Sequence, residues 1–588
     1  MTSTSRAAGT SQEFPSAPAS IRPGIFPLLL ANWRRWTSAI SEDHIFLLLA
    51  IVIGIFAGLA VVLFRVAIDW TQLLVLGPAV HVSPWRVLLA PTIAGLIVAA
   101  LVIRVFPRVR GSGVNQTKAA VYIFDGYVPF STVIGKFLTC AIAIGSGHSL
   151  GPEDPSLQIG AGIASKLGRS LKLSRDKIRL IAPVGAAAGL AAAFNAPISA
   201  VLFVIEEVIG NWSGGVLGAI VLAAVSSVVV MRQFLGTDAL FRIPPFHLER
   251  PSELLGYAVL GVVGGGASVL LLQAIAIVRP RLQHLPRWTE YFQPAIAGLL
   301  IGFIGLRVPQ VMGAGYPIID WALHDQFTWN MLLLLAGCKI VSTSLSFVSG
   351  TPGGMFAPTL FIGAMLGGAV GGVEHLFFHQ ISGTVGAFAL VGMGTLFAGF
   401  LRVPITSVFM VIEVSGSYAA ILPVMISNTI AYLISRQFQK TSLFDLLARQ
   451  EGMILPSVEE QRERVALRVE DALANRDAAD AEPDVVLAEA LRRAGAQPEL
   501  YFLGCEPGGW RVYRKLVTQG DEKKRAGASS EHSPFLYPDL SLEDALQIMR
   551  DWPVVPVISR ANSQILVGVL AHTDVLRAYR EFGTLDPS

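Results

Sequence analysis

The chain has 588 residues, 53% of them hydrophobic and only 15% charged, with a net charge of +3 and a mean hydropathy of +0.57. That charge deficit excludes an ordinary soluble protein, and the small net charge argues against a nucleic-acid partner. Cys140, Cys338 and Cys505 are too few and too scattered for a disulfide framework or a metal-ligand spacing.

Residues 1–43 form an N-terminal segment. Its first 22 residues, rich in Ser, Thr, Ala and Pro, read as disordered. No apolar core follows Arg6, so they do not read as a signal peptide. The stretch PLLLANWRRW after them reads as a short helix at a membrane surface. Arg34 and Arg35 ahead of the first span predict a cytoplasmic N-terminus, because basic residues stay inside.

Residues 44–448 are predicted to form an all-α, polytopic membrane domain. Apolar runs cover Ile45–Leu63, Val87–Ile103, Val216–Met231, Leu254–Val278, Ala295–Gly305 with its flanks, Met331–Val348 and Ile421–Ile434. A spanning helix needs about 20 such residues. Breaks rich in Gly and Pro interrupt the runs: GSGVN at 111–115, GSGHSLGPEDP at 145–155, FNAP at 194–197, SGTPGGMFAP at 349–358 and LRVP at 401–404. Backbone groups freed in a bilayer must be satisfied by protein, water or an ion. So many breaks therefore predict a buried polar centre.

The domain repeats internally. KFLTCAIAIGSGHSLGPEDPSLQIGAGIASKLG (136–168) aligns without a gap on KIVSTSLSFVSGTPGGMFAPTLFIGAMLGGAVG (339–371), with Lys136 on Lys339, Pro155 on Pro358 and Glu153 on Phe356. VGAAAGLAAAFNAPISAVLFVIEEV (184–208) resembles VGMGTLFAGFLRVPITSVFMVIEVS (391–415), which pairs Glu206 with Glu413 but Glu207 with Val414. Two halves follow, about 44–236 and 253–448; the sequence leaves open whether they run parallel or inverted. Broken segments in matching places of two halves point to a transport site. Helix N-termini attract anions, and three of the breaks precede a helix: after Gly113, at Glu153-Asp154-Pro155 and at Gly354-Met355-Phe356. If they converge they make an anion site; the competing reading is that the glycines only let helices pack closely.

Residues 449–588 carry more charge and no spanning run. Residues 459–480 read as a charged helix or linker. SLEDALQIMRDWPVVPVISRANSQILVGVLAHTDVLRAYR reads as helix, Val-rich strand, a turn at Asn562-Ser563, strand and helix, a small α/β module. VVLAEALRRAGAQPELYFLGC is a candidate degenerate partner of it.

These motifs, in this order, resemble the CLC family of chloride channels and chloride/proton antiporters. GSGVN resembles the family's GSGIP, GPEDP its GKEGP or GREGP, GGMFAP its GGxFxP, and FNAPISAVLFVIEE the helix ending at its internal acid. The tail resembles the family's cytosolic pair of CBS modules, the second over about 535–583. The resemblance implies inverted repeats, a homodimer with one anion pathway per subunit, and cytoplasmic termini; short loops and no organelle address signal in the sequence suggest a bacterial inner membrane. It implies that Ser112 offers its hydroxyl, and Met355 and Phe356 their N–H groups, to a central chloride. Glu153 would be the gating acid and Glu207 the internal proton acid. An intramembrane carboxylate is a functional candidate by default, and a carboxylate is itself a tethered anion that competes for the same donors. The function implied is exchange of chloride against protons, with a passive anion channel as the alternative and no cofactor. A cation transporter using Glu153, Glu207 and Glu413 fits the helix N-termini less well, and no nucleophile–base pair supports an enzyme.

Several positions depart from the family pattern. Phe444 stands where the family has a central tyrosine, so one hydroxyl is missing. Pro152 replaces a basic residue, Asn115 a proline, and Asp154 a glycine beside the gate. Lys136 either raises the local positive potential or, like Lys339, serves structure. In the tail, Asp574 is where such modules hydrogen-bond the ribose of an adenine nucleotide. Ala571 replaces the usual Ser or Thr there, which favours packing or dimerisation over nucleotide binding.

Overall fold

A computed structural model describes residues 42–77, 83–171, 173–210, 214–237, 239–241, 243, 251–377, 384–453, 455–456, 467–473, 482–514 and 532–582. The surface helix expected within 23–41 and most of the linker expected at 459–480 lie outside these residues. The chain divides into two compact units, Met1–Val458 and Glu459–Ser588.

The first unit is helical. Among the described residues seven helices are long and apolar enough to cross a membrane. The longest, Glu42–Val75, opens on two acids that favour its positive N-terminal end. At ~1.5 Å per residue it is about 51 Å long, more than a ~30 Å hydrocarbon layer requires, which leaves length for tilt or for ends that project past the layer. It is also longer than the uncharged run that announces it, continuing past Arg65 and Asp69.

The helices fall into two matching series. Glu42–Val75, Pro84–Arg104, Gly113–Tyr122, Phe130–Gly145, Glu153–Ser170, Arg175–Phe194, Pro197–Phe203 and Gly214–Leu235 make the first. Glu253–Gln283, Gln293–Gly305, Tyr316–Leu323, Trp329–Val348, Phe356–Phe377, Val385–Leu401, Pro404–Ser415 and Ile421–Phe438 make the second. Each half reverses before its seventh helix at a left-handed residue, Asn195 (φ 56°) or Arg402 (φ 61°). The next residue, Ala196 or Val403, precedes a proline and is held out of the helical region. The turn therefore falls one position earlier.

The two series run in opposite directions. Gly151 and Gly354, which correspond in the repeat, form an antiparallel bridge and exchange two backbone hydrogen bonds of 2.8 Å. The carboxylate of Glu206 accepts from the N–H groups of Ile405 (3.4 Å) and Thr406 (2.8 Å) at the start of the opposite half's helix. The carboxylate of Glu413 accepts from Ile198 (2.9 Å) and Ser199 (2.7 Å) in return. Each acid near a helix C-terminus caps its repeat mate's N-terminus, which only an antiparallel pair allows. The halves are inverted.

Glycine sets the closest approaches in the centre. A Cβ on Gly185 would lie 2.2 Å from the Gly160 carbonyl oxygen, and one on Gly392 would lie 2.2 Å from that of Gly363. The same contact thus closes the same helix pair in each half. The helices it joins, Glu153–Ser170 with Arg175–Phe194 and Phe356–Phe377 with Val385–Leu401, form the buried middle around the breaks.

The second unit is a small α/β body. Helix Leu542–Met549, strand Val554–Ile558, strand Leu566–Ala571 and helix His572–Phe582 follow in the expected order. The strands pair antiparallel. Asn562 closes their turn by accepting from the Gln564 N–H at 3.0 Å. Before them, helix Pro483–Arg493 and the hairpin Tyr501–Glu506/Gly509–Arg514 build a second apolar cluster of Leu487, Leu491, Tyr501 and Val512 with Val554 and Val569.

Candidate anion site

The three breaks converge. Lys136 is wholly buried and donates from Nζ to the carbonyls of Val109 (3.0 Å) and Gly111 (2.8 Å), which fixes the loop ahead of helix Gly113–Tyr122. Lys339 makes the same pair of bonds to Val311 (3.0 Å) and Gly313 (2.7 Å). Both lysines neutralise carbonyls that would otherwise be stranded in an apolar layer, so their structural reading is the one the geometry supports.

A small cavity lies where the breaks meet. Ser112, Asp154, Met355, Phe356 and Phe444 line it, so four of the expected anion-site residues share one space. Among the described residues, the N–H groups of Met355 and Phe356 meet no protein acceptor. They are orphan donors at a helix start, suited to an anion. Phe444 supplies a wall in place of a hydroxyl. Its ring sits 6.4 Å from that of Phe356 and 6.1 Å from that of Phe203. Asn115 holds it there by donating from Nδ2 to the Phe444 carbonyl at 2.8 Å. The family's proline at that place has no such donor.

Ser112 departs from expectation. Its side chain caps helix Gly113–Tyr122, accepting from the Val114 N–H at 3.2 Å. Its hydroxyl donates to Asp154 Oδ1 at 3.3 Å, while Gly113 and Val114 donate to the same carboxylate at 3.1 and 2.8 Å. Of the donors assigned to chloride from sequence, the Ser112 hydroxyl is held by an internal carboxylate.

Glu153 is fully buried. It accepts from the Ala357 N–H at 3.4 Å, at the start of the opposite half's helix, and from the hydroxyl of Tyr316. The guanidinium of Arg65 lies 6.0 Å from the Tyr316 ring centroid. Sequence reasoning passes over Tyr316, although GAGYP at 313–317 is the second half's version of GSGVN and marks it.

Glu207 stands on a π-helical turn, Val204–Ile209, where the second half continues as a regular α-helix. Such a turn widens the helix locally and is frequent at functional sites. Here Glu206 caps the neighbouring helix while Glu207 accepts from Lys118 Nζ at 2.8 Å. Asp445 lies 3.7 Å from the same ammonium. Sequence reasoning passes over Lys118 and Asp445 too: a lysine in a mixed helix carries no local sign of its distant partners.

In the tail, Asp574 is buried and its carboxylate is spent. Arg493 donates to it from Nε (2.9 Å) and Nη2 (3.2 Å), and the Ala571 N–H donates at 3.1 Å.

Comparison with known proteins agrees with this geometry. Residues 94–436 match the family described as voltage gated chloride channel, and residues 529–581 match the CBS domain. A putative chloride channel protein ClcB-like from Ralstonia nicotianae is 32% identical over 68% of this chain and 95% of its own length. The H(+)/Cl(-) exchange transporter ClcA of Salmonella arizonae is 30% identical over 69% of this chain and 89% of its own. Among solved structures, a slow cyanobacterial Cl−/H+ antiporter superposes with a TM-score of 0.64 at 24% identity, covering 71% of this chain and 99% of that one. A eukaryotic CLC transporter superposes with a TM-score of 0.60 at 20% identity, over 91% and 99%. The chain belongs to the CLC family of voltage-gated chloride channels.

Proposed function

We propose that the chain is a secondary active transporter that exchanges chloride for protons, with Glu153 as gate and Glu207 as internal proton acceptor. The observation that carries this reading is the Glu153 carboxylate on the Ala357 N–H at 3.4 Å, beside orphan donors at Met355 and Phe356. Charged, it is an anion on the anion's path. Protonated, it loses its hold on an N–H donor and admits chloride. The same side chain thus moves a proton and opens the way.

A passive channel is the second reading, favoured by the ion pair of Glu207 with Lys118 at 2.8 Å. A carboxylate pinned against an ammonium is not at liberty to swing and pass a proton on, and a stalled inner relay would leave only chloride flux. Reconstitution in liposomes decides. An exchanger drives protons uphill on a chloride gradient, Glu153→Ala passes chloride without protons, and Glu207→Ala loses proton coupling. Proton pumping that survives either substitution removes that residue from its role.

The reading includes a homodimer with one pathway per subunit, cytoplasmic termini and an inner-membrane location. For the tail it favours packing or pairing of tails over an adenine nucleotide at Asp574, since Arg493 already fills that carboxylate. Calorimetric titration of the full-length protein with ATP tests this, and binding lost in Asp574→Asn would restore the nucleotide site.

A further inference from the structure

The family's gate is one acid, yet here two consecutive acids open the helix Glu153–Ser170, and they reach different donors. Glu153 goes to the second half, to Ala357 N–H and the Tyr316 hydroxyl. Asp154 goes to the first half, where Ser112 Oγ (3.3 Å), Gly113 N (3.1 Å) and Val114 N (2.8 Å) converge on it. Only 3% of Asp154 is exposed, and it lines the cavity together with Met355, Phe356 and Phe444.

The berth is shaped for this carboxylate. A Cβ on Gly113 would stand 3.0 Å from Asp154 Oδ1, and one on Gly354 would stand 2.8 Å from Asp154 Cβ. The titratable groups facing it are Lys136 and Cys140 on helix Phe130–Gly145, and Glu153 beside it. Lys136 holds two loop carbonyls, and Lys118 on helix Gly113–Tyr122 is engaged by Glu207 and Asp445. Helix Phe356–Phe377 presents apolar groups to the cavity. No cation therefore contacts the Asp154 carboxylate among the described residues; its hold is the three donors.

We propose that Asp154 is a second tethered anion, seated on Ser112 and the helix start at Gly113–Val114, which must leave those donors before a halide binds there. The proposal rests on the anion-transport reading of the same site and deepens it. Two carboxylates, one from each of two adjacent residues, occupy two successive anion positions, so the pathway is closed at two points.

Chloride affinity of the full-length purified protein tests this, read by isothermal titration at pH 7 and again under acid. Asp154→Asn keeps the shape and one acceptor but removes the charge; Asp154→Gly restores the family residue should the Asn variant fail to fold. Both should bind chloride at least about tenfold more tightly than the wild type. In a Glu153→Gln background affinity should still rise on acidification, and that rise should vanish when Asp154→Asn is added. A cap with no role in anion binding would change thermal stability and leave affinity and its pH profile untouched, which overturns the proposal. Chloride efflux from liposomes, run alongside, separates the two levels. Unchanged affinities with efflux intact sink the second-anion role alone, whereas no efflux and no binding in any variant sinks the transport reading with it.

Discussion

In the first half the broken segment ends on Glu153 and Asp154; in the second it ends on Phe356 and Ala357. The backbones of the two breaks correspond and meet at Gly151 and Gly354, but the first brings carboxylates and the second brings N–H groups and a tyrosine hydroxyl. Ahead of the breaks, Lys136 and Lys339 perform one task twice. Near the ends of the seventh helices, Glu206 and Glu413 do the same. The difference teaches that what the repeat shares is scaffold and what it does not share is chemistry. Glu206 and Glu413 reach across the halves as a matched pair, whereas the reach of Glu153 to Ala357 is one-sided, because its repeat mate Phe356 has no carboxylate to return.

The comparison can be broken most severely at the shared positions. Gly185→Val and Gly392→Val each drive a side chain into a carbonyl oxygen that a Cβ would already meet at 2.2 Å. Ordinary overpacking costs about 1–3 kcal/mol, but here the obstacle is backbone that cannot swing aside, so the helix pair itself must separate and the loss is larger. Both variants should lose folded protein on gel filtration in detergent; if only one does, the halves are not equivalent as scaffold. Next comes Lys118→Met, which leaves Glu207 and Asp445 as buried acids without their ammonium. Breaking such a pair costs about 3–5 kcal/mol, so its melting temperature should fall well below that of the wild type. Double substitution with Glu207→Gln should recover much of the loss. Tyr316→Phe removes one hydrogen bond to Glu153. Bonds to charged groups contribute about 1.5–3 kcal/mol, so chloride efflux at neutral pH should rise about tenfold if Tyr316 holds Glu153 closed. Smallest are Glu206→Gln and Glu413→Gln, each weakening one helix cap by about 1 kcal/mol. Their effects on stability should match, and neither should uncouple proton flux, which is the effect expected of Glu207→Gln.

Much of the fold and of the site is legible in the residues alone. The Gly/Pro breaks, the duplicated block and the acid facing an aromatic residue are local signals, and they locate the cavity. Glu207 stands out in the sequence because its repeat mate is Val414, and the structure gives that difference a form: a π turn in one half and none in the other. What stays hidden are pairs set by folding over long distances. Lys118 lies 89 positions from Glu207, Tyr316 lies 163 from Glu153, and Asn115 lies 329 from Phe444. Asp154 is visible as a departure from pattern, but sequence offers no way to see that Ser112 is its donor. Asp574 shows the reverse case: the motif marks it, and folding sets an arginine from a preceding helix against it.

The clasp between Gly151 and Gly354 has a bearing on how the molecule can work. Levering the two halves apart along that seam would strand two N–H and two C=O groups, each buried and bonded at 2.8 Å. Leaving such groups unsatisfied costs about 1–3 kcal/mol apiece. Letting Glu153 swing out surrenders one long contact of 3.4 Å and a single hydroxyl. Motion on the scale of a side chain is therefore the cheaper route to alternating access, and a covalent staple across the halves should leave turnover intact.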